Sequence, residues 1–149
     1  MDRILVRPSG PLSGDVKING AKNSALKLMA ACTLAQGTYL LKEVPDITDV
    51  QSMAELLRSM GLTVRNLENN QIEIVNPGDI TPEAPYEQVE KMRASIVVLG
   101  PLVSTYGKAR VALPGGDDFG PRPIDMHLKG LEALGVRFSS EHGYIEAEA

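Results

Sequence analysis

Aromatic, cysteine and histidine residues are scarce in this chain of 149 residues, and each shortage excludes a class of function. Without tryptophan and with two phenylalanines there is no platform for stacking bases, and a net charge of −4 disfavours general nucleic-acid binding. The lone Cys32 cannot form an internal disulfide, and its apolar neighbours indicate a small core residue. The two histidines, His127 and His142, lack a cluster of further ligands, so we expect no metal site.

Long hydrophobic runs are also absent. No apolar stretch is long enough to span a bilayer, and the first residues lack the charged-then-apolar pattern of a leader. They predict instead a short strand over residues 4–7. A hydrophobic fraction of 43% and a charged fraction of 23% are typical of a folded domain with its own core. We therefore expect a cytoplasmic protein that binds neither membranes nor nucleic acids.

An internal repeat organises the chain. Blocks beginning at Gly37 and Gly107 each read strand, proline-containing loop, helix, strand, polar turn and strand. Each block follows a helical run, at residues 22–35 and at about 93–104. The pattern predicts a mixed α/β (α+β) fold. Its expected parts are an N-terminal strand and lead-in over 1–20, a first repeat unit over 21–76, a linker over 77–85 without regular structure, and a second repeat unit over 86–149.

Local signals support the repeat. Thr48 and Gln51 have the spacing of a capping box at a helix start, and Gly61 is suited to the position just past a helix end. Asn69-Asn70 and His142-Gly143 are typical of hairpin turns. Apolar residues at helical spacing predict one buried stripe in each unit. The stripes are Met53, Leu56, Leu57 and Met60 in the first unit, and Met126, Gly130, Leu131 and Leu134 in the second.

The two blocks differ in length at one loop. Gly37 and Gly107 are 70 positions apart, whereas Leu57 and Leu131 are 74 apart, so the second block has four extra residues. These residues fall within ALPGGDDFGPRPIDMH, at positions 112–127. A repeat supplies structure in both copies, so an expansion found in one copy indicates added function. We therefore expect function to have been added in the loop over residues 114–123.

Basic residues are expected near this loop. Lys22, followed by Asn23, opens a helix after a glycine, which is a common anion-binding position. Arg93 holds the matching place 70 positions after Asn23. Arg122 lies between two prolines that restrict its backbone, and its guanidinium suits bidentate binding of phosphate or carboxylate. Each of these residues also fits a solvated surface position, but together they favour a small anionic substrate.

The adjacent Asp117 and Asp118 allow two interpretations. One is a solvated polar turn, which is ordinary for Gly-Gly-Asp-Asp. The other is an acid–base group whose pKa is raised by its charged neighbour and by closure of the loop. A Mg²⁺ site is disfavoured by the nearby cations.

Several motifs together resemble one enzyme family. GAKNSAL at Gly20, MRASI at Met92, GPL at Gly100 and LPGGD-x-x-G-x-RPID at Leu113 resemble the UDP-N-acetylglucosamine enolpyruvyl transferases (UDP-N-acetylglucosamine 1-carboxyvinyltransferases). The resemblance runs through the whole chain in order. It implies an inside-out α/β barrel of repeated β-α-β-α-β-β units, of which about two are here. It also implies transfer of enolpyruvate from phosphoenolpyruvate to the 3′-hydroxyl of UDP-N-acetylglucosamine with release of phosphate. That reaction needs no cofactor and begins peptidoglycan synthesis, hence cell-wall biogenesis, cell shape, cell cycle and cell division.

The resemblance also implies roles for single residues. Lys22, which is also implied to act in catalysis, and Asn23 would bind phosphoenolpyruvate, and Arg93 would help to bind the nucleotide sugar. The segment of Arg122, Pro123, Ile124, Asp125 and Met126 would hold the nucleotide end, with Arg122 also facing phosphoenolpyruvate. Asp117 stands where the family usually has a cysteine that donates a proton. A carboxylic acid can donate the same proton, but it is a poorer nucleophile, so we predict resistance to the thiol-alkylating antibiotic fosfomycin.

Length separates the chain from that family, whose members are more than twice as long. We therefore expect a fragment that is inactive alone and whose partner is the remaining domain of the enzyme. Two rival interpretations stay open. One is the sister class that transfers enolpyruvate to shikimate 3-phosphate, although the Pro-Gly-Gly loop and RPID disfavour it. The other is a non-catalytic module that binds nucleotide sugars.

Overall fold

A computed structural model describes residues 3–8, 10–89, 92–113 and 124–149. The elements follow in chain order: α1 (Lys22–Ala31), β1 (Gly37–Leu41), α2 (Thr48–Ser59), β2 (Thr63–Leu67), β3 (Gln71–Asn76), β4 (Glu83–Ala84), α3 (Tyr86–Val89), a 3₁₀ helix (Arg93–Val98), α4 (Leu99–Tyr106), β5 (Lys108–Ala112), α5 (Asp125–Glu132), β6 (Arg137–Glu141) and β7 (Tyr144–Glu148). This order confirms the predicted mixture of helices and strands.

The first sheet has the strand order β1-β3-β2 and is antiparallel throughout. Ile74 of the central strand β3 lies opposite Tyr39 of β1 and Val64 of β2. The three side chains therefore share one face of the sheet, and that face is apolar. Asn69 and Asn70 join β2 to β3 with φ angles of 57° and 56°. Both values lie in the left-handed region, and the residues form the hairpin turn that the pair of asparagines predicted.

The second sheet has the order β4-β5-β7-β6. Its strands β5, β7 and β6 repeat the antiparallel arrangement of the first sheet, and again the last strand in sequence is central. His142 and Gly143, with φ angles of 50° and 80°, form the tight turn that the sequence predicted. The strand β4 adds a fourth, parallel partner to β5. The shared topology confirms that about two related units are present.

Helices α1, α2 and α4 and the 3₁₀ helix supply much of the hydrophobic core, which they share with strands of both sheets. The α2 stripe predicted from sequence is confirmed, because Met53, Leu56, Leu57 and Met60 are all fully buried. Their spacing places them on one side of the helix, where α2 packs against α1, α3 and β2. Gly61 follows with a φ of 105°, as expected just past a helix end.

The stripe predicted for α5 is not buried. None of the eight residues of α5, all of which the structure describes, is buried. Met126 near its start and Leu134 just past its end are 81% and 82% exposed. The main packing partner of α5 is β6, whereas α2 is covered by two helices. The spacing was correct for an apolar face, but the elements described here cover only part of it, where Leu128 and Leu131 pack against the core.

Three other local predictions were wrong. Residues 4–7 form no strand, because residues 3–8 have no strand beside them and are exposed. The linker at 77–85 does contain a regular element, β4, since its two residues fit between Pro82 and Pro85 and pair with β5. The capping box at Thr48 does not form. Helix α2 begins at Thr48 itself, with Ile47 as N-cap, and Gln51 Nε2 donates to Asp46 Oδ1 at 3.1 Å instead.

No helix in the described part of the chain is long and apolar enough to cross a membrane.

Candidate active site

Lys22 is the first residue of α1, as the sequence predicted. The chain enters this helix through Gly20, which packs against the backbone carbonyl of Glu43 so closely that a Cβ atom would collide with it. Glu43 has a φ of 54°, and Lys17 Nζ pairs with its side chain at 3.5 Å. The close approach of Gly20 to Glu43 therefore fixes where α1 begins and where Lys22 projects.

The ammonium of Lys22 forms an ion pair with Asp49 Oδ2. Asp49 is the second residue of α2, so the contact links the first turns of two packed helices. The side chains are 52% and 33% exposed, which leaves the lysine accessible to a ligand. Sequence analysis missed Asp49. Its signal was an acidic residue in the first turn of a predicted helix, which by itself usually serves only the helix dipole.

Asn23 and Arg93 lie at matching helix starts. Asn23 follows Lys22 in α1 and is exposed. Arg93 opens the 3₁₀ helix, and that helix packs against α1. Asn23 and Arg93, two predicted substrate-binding residues, therefore lie on elements that pack against each other. The side chain of Arg93 lies outside the described part of the structure.

The third predicted segment divides between described and undescribed residues. Ile124 packs against the hydrophobic core, whereas Asp125 and Met126 are exposed at the start of α5. Asp125 Oδ2 pairs with Lys129 Nζ of its own helix at 3.4 Å. Helix α5 packs mainly on β6, whereas the helix of Lys22 packs mainly on α2 and the 3₁₀ helix.

The predicted loop falls outside the described residues. Asp117, Asp118, Arg122 and Pro123 all belong to the segment 114–123, which the structure does not describe. Their predicted roles as acid and as substrate anchor therefore stay predictions.

Cys32 is confirmed as a core residue. It is 3% exposed, and its Sγ donates to the carbonyl of Leu28 at 3.3 Å. Burial raises the pKa of the thiol to about 11. The thiol therefore stays protonated near neutral pH, and we assign it no chemical role.

Two concave surfaces differ in their distance from Lys22, and only the smaller one is lined by residues next to it in the chain. A cavity of about 620 Å³ is lined by β5, β6 and β7 of the second sheet, where Arg110 pairs with Glu83 at 2.6 Å and with Glu146 at 3.4 Å. A smaller one of about 390 Å³ separates the start of α1 from β1, with Leu28 and Leu40 at its rim. Among the described residues, no group of three or more His, Cys, Asp or Glu side chains could hold a metal ion.

Lys22 thus lies at a helix start on the first of two repeated units, each with its last strand in the centre of a sheet. The family model described as EPSP synthase (3-phosphoshikimate 1-carboxyvinyltransferase) matches residues 6–149, and the chain belongs to this family.

Within this family the chain is similar to proteins named UDP-N-acetylglucosamine 1-carboxyvinyltransferase. The chain is 52% identical, over 100% of its length, to the UDP-N-acetylglucosamine 1-carboxyvinyltransferase of Anaeromyxobacter sp. (strain Fw109-5). It is 49% identical, over 99% of its length, to the protein of the same name from Cellvibrio japonicus (strain Ueda107). It spans 36% and 35% of these two proteins, so it covers about a third of the curated relatives it matches.

Solved structures show the same fold. The enolpyruvyl transferase NikO from Streptomyces tendae matches 93% of the chain with a TM-score of 0.76 and 24% identity, and 30% of that protein is covered. EPSP synthase from Acinetobacter baumannii matches 91% of the chain with a TM-score of 0.64 and 17% identity, and 32% of it is covered. The chain thus has the enolpyruvyl transferase fold that the sequence predicted.

Proposed function

We propose that this chain is the N-terminal part of an enzyme that transfers enolpyruvate from phosphoenolpyruvate to the 3′-hydroxyl of UDP-N-acetylglucosamine. The observation that carries the proposal is identity of 47–52% along the whole chain with proteins named for this reaction. The position of Lys22 at a helix start agrees with it, because such a cation suits a phosphorylated substrate. The chain alone would bind substrates weakly and turn over neither, since it spans about a third of those relatives.

In the proposed reaction, Asp117, Lys22 and Asn23 would have separate roles. The 3′-oxygen forms a bond to C2 of phosphoenolpyruvate while Asp117 gives a proton to C3, and the hydroxyl proton passes to an acidic group of the remaining domain. The C2–O bond to phosphate then breaks as C3 loses a proton, which leaves the enolpyruvyl ether and phosphate. Lys22 and Asn23 would hold phosphoenolpyruvate and stabilise the charge on its phosphate.

The nucleotide sugar would bind to the second unit. Arg93 would contact the sugar nucleotide, and the segment Arg122, Pro123, Ile124, Asp125 and Met126 would hold its nucleotide end. In this proposal residues 1–20 lead in, residues 21–76 and 86–149 are the two units, 77–85 link them, and 114–123 close over the substrates. The enzyme would act in the cytoplasm, in peptidoglycan synthesis and hence in cell shape, cell cycle and cell division.

A second acceptor, shikimate 3-phosphate, is favoured by one observation, the description of the matching family model. The solved shikimate-class relative is 17% identical to the chain, however, against 52% for the UDP-N-acetylglucosamine class. The first measurement is therefore the rate of turnover with each of the two acceptors.

A chimera tests both acceptors. This chain would replace the matching third of the Anaeromyxobacter relative, and release of phosphate would be followed with each acceptor. We expect turnover with UDP-N-acetylglucosamine and none with shikimate 3-phosphate. Lys22→Met should lower turnover by about 100-fold or more, since removing a charge-stabilising donor has effects of that order. Lys27→Met, an exposed lysine of the same helix, is the matched control.

Two results would contradict the proposal. Turnover with shikimate 3-phosphate alone would assign the chain to the sister class. A folded chimera that binds UDP-N-acetylglucosamine by calorimetry without releasing phosphate would favour the non-catalytic module.

The same chimera tests the role of Asp117 through fosfomycin. We expect it to keep its activity and its mass in the presence of the antibiotic, because a carboxylate is a poor nucleophile toward the epoxide. Asp117→Cys should gain a covalent adduct and lose activity. Rapid labelling of the chain with Asp117 in place, seen by intact mass, would contradict the prediction.

A further inference from the structure

We propose that Asp49 is a positioning residue that holds the ammonium of Lys22 where the substrate phosphate binds. The identity of that anion rests on the proposed function, but the contact itself does not. The two side chains form an ion pair between the first turns of α1 and α2.

Asp49 is better fixed than the lysine it contacts. Its short side chain is 33% exposed and projects from the second position of a twelve-residue helix whose other face is fully buried. The positive end of the α2 dipole stabilises its negative charge. Lys22 instead has a long flexible stem and is 52% exposed. Asp49 is therefore the anchor of the pair, and Lys22 is the group whose position it sets.

Two other carboxylates near the helix starts have partners of their own. The carboxylate of Asp46 accepts from Gln51, and Glu43 pairs with Lys17. The N-cap residues of α1 and α2, Ala21 and Ile47, are apolar and cannot cap the helices by side chain. A phosphate at Lys22 would therefore meet backbone N–H groups as well as the ammonium.

The ion pair does not hold the two helices together. Leu26 and Met29 of α1 and Met53 of α2 are almost completely buried in the core. A half-exposed ion pair adds little to such packing. The ammonium has three donors, so one bond to Asp49 leaves two for an anion. The contact with Asp49 therefore restrains the Lys22 side chain and still leaves its ammonium able to bind an anion, as expected of a positioning contact.

A positioning role and a competing role for Asp49 predict opposite changes in anion affinity when its charge is removed. If Asp49 orders Lys22 for the anion, removing its charge loosens the lysine and weakens anion binding. If Asp49 only competes with the anion, removing its charge eliminates repulsion and tightens binding. Replacement of Asp49 by asparagine, which has nearly the same shape, distinguishes the two.

The test is NMR spectroscopy on the 149-residue chain. Relaxation of the Lys22 Cε methylene reports the order of the side chain, and titration with phosphoenolpyruvate or inorganic phosphate reports binding through shifts at Lys22. The variants are Asp49→Asn, Asp49→Glu and, as a control, Glu73→Gln, which breaks the 3.1 Å pair with Arg65 on the first sheet.

We expect Asp49→Asn to lower the order of Lys22 and to weaken anion binding about two- to fivefold, the range typical of an exposed ion pair. Asp49→Glu should restore binding to within about twofold, and Glu73→Gln should change neither readout. Unchanged order of Lys22 in Asp49→Asn, or tighter anion binding, would overturn the proposal. If the wild-type chain showed no shift with either anion, the phosphate-binding role of Lys22 would fail. Relaxation would still decide whether Asp49 orders it.

Discussion

The two sheets share a topology but differ in how completely they are covered. In the second sheet β5 lies between β7 and the parallel strand β4, and α3 packs beside it. In the first sheet β1, the counterpart of β5, has no partner on its other side among the described residues. A groove of about 390 Å³ lies between β1 and α1, where Leu28 and Leu40 are 54% and 49% exposed.

The helices differ in the opposite direction. Helix α2 of the first half is buried by its neighbours, whereas α5 of the second half has no buried residue along its described length. The same apolar spacing therefore gives a core helix in one copy and an exposed helix in the other. Burial is decided by the neighbouring elements and not by the pattern of the helix alone.

The largest expected difference between the halves is in matched leucines. Leu57→Ala should lower the free energy of unfolding by about 2–5 kcal/mol, because Leu57 is fully buried and leaves a cavity. Leu131→Ala, 74 positions later, should cost about 1 kcal/mol, because Leu131 is only partly buried at the edge of the core and its removal leaves no enclosed space. Urea unfolding of both variants measures the two values. Equal losses would mean that α5 is buried in solution.

Two glycines extend the comparison. Gly20→Ala should destabilise the chain by about 1–3 kcal/mol, since its Cβ would collide with the Glu43 carbonyl. Gly130→Ala, inside α5 with open space around it, should stabilise by about 0.5–1 kcal/mol through helix propensity. Thermal unfolding of the two variants shows whether each is less or more stable than the wild type. A neutral Gly20→Ala would show that the entry to α1 adapts, and Lys22 would then be less firmly placed than we describe.

Alkaline pH should affect the first half through its cysteine. The pKa of Cys32 is raised by burial from 9.0 to about 11, so above pH 9 the unfolded thiol loses its proton before the folded one. The stability from this group is complete below pH 9 and is lost as pH rises toward 11, by about 1–2 kcal/mol. The measurement is urea unfolding at pH 8 and pH 10.5, as the difference between wild type and Cys32→Ala. The same pH dependence in both proteins would refute the assignment.

The smallest expected effect concerns the two counterpart strands. Amides of β1 that do not donate to β3 should exchange with solvent about tenfold faster than those of β5, which has partners on both sides. Hydrogen exchange followed by NMR measures the ratio. Equal protection would show that another segment, or a second copy of the chain, pairs with β1 in solution.

Sequence predicted the features that depend on near neighbours. The asparagine turn, Gly61 and the stripe of α2 follow from residues a few positions apart, and all three are confirmed. Features that depend on distant segments were missed. The exposure of α5 follows from what packs on it, β4 forms because β5 lies 24 residues later, and Asp49 meets Lys22 across 27 positions. Motif resemblance identified Lys22, but spacing alone gave no sign of its partner.

The central position of the last strand also sets an order of assembly. Strands β1 and β2 pair with β3 and not with each other, and β5 and β6 are likewise linked only through β7 in their antiparallel ladders. During synthesis on the ribosome, the antiparallel ladders of the first sheet therefore cannot be complete until residue 76 has emerged. Those of the second sheet cannot be complete until residue 148, although its short parallel pair of β4 and β5 needs only residues up to 112. Each half should acquire resistance to proteolysis late and in one step, as its final strand is delivered.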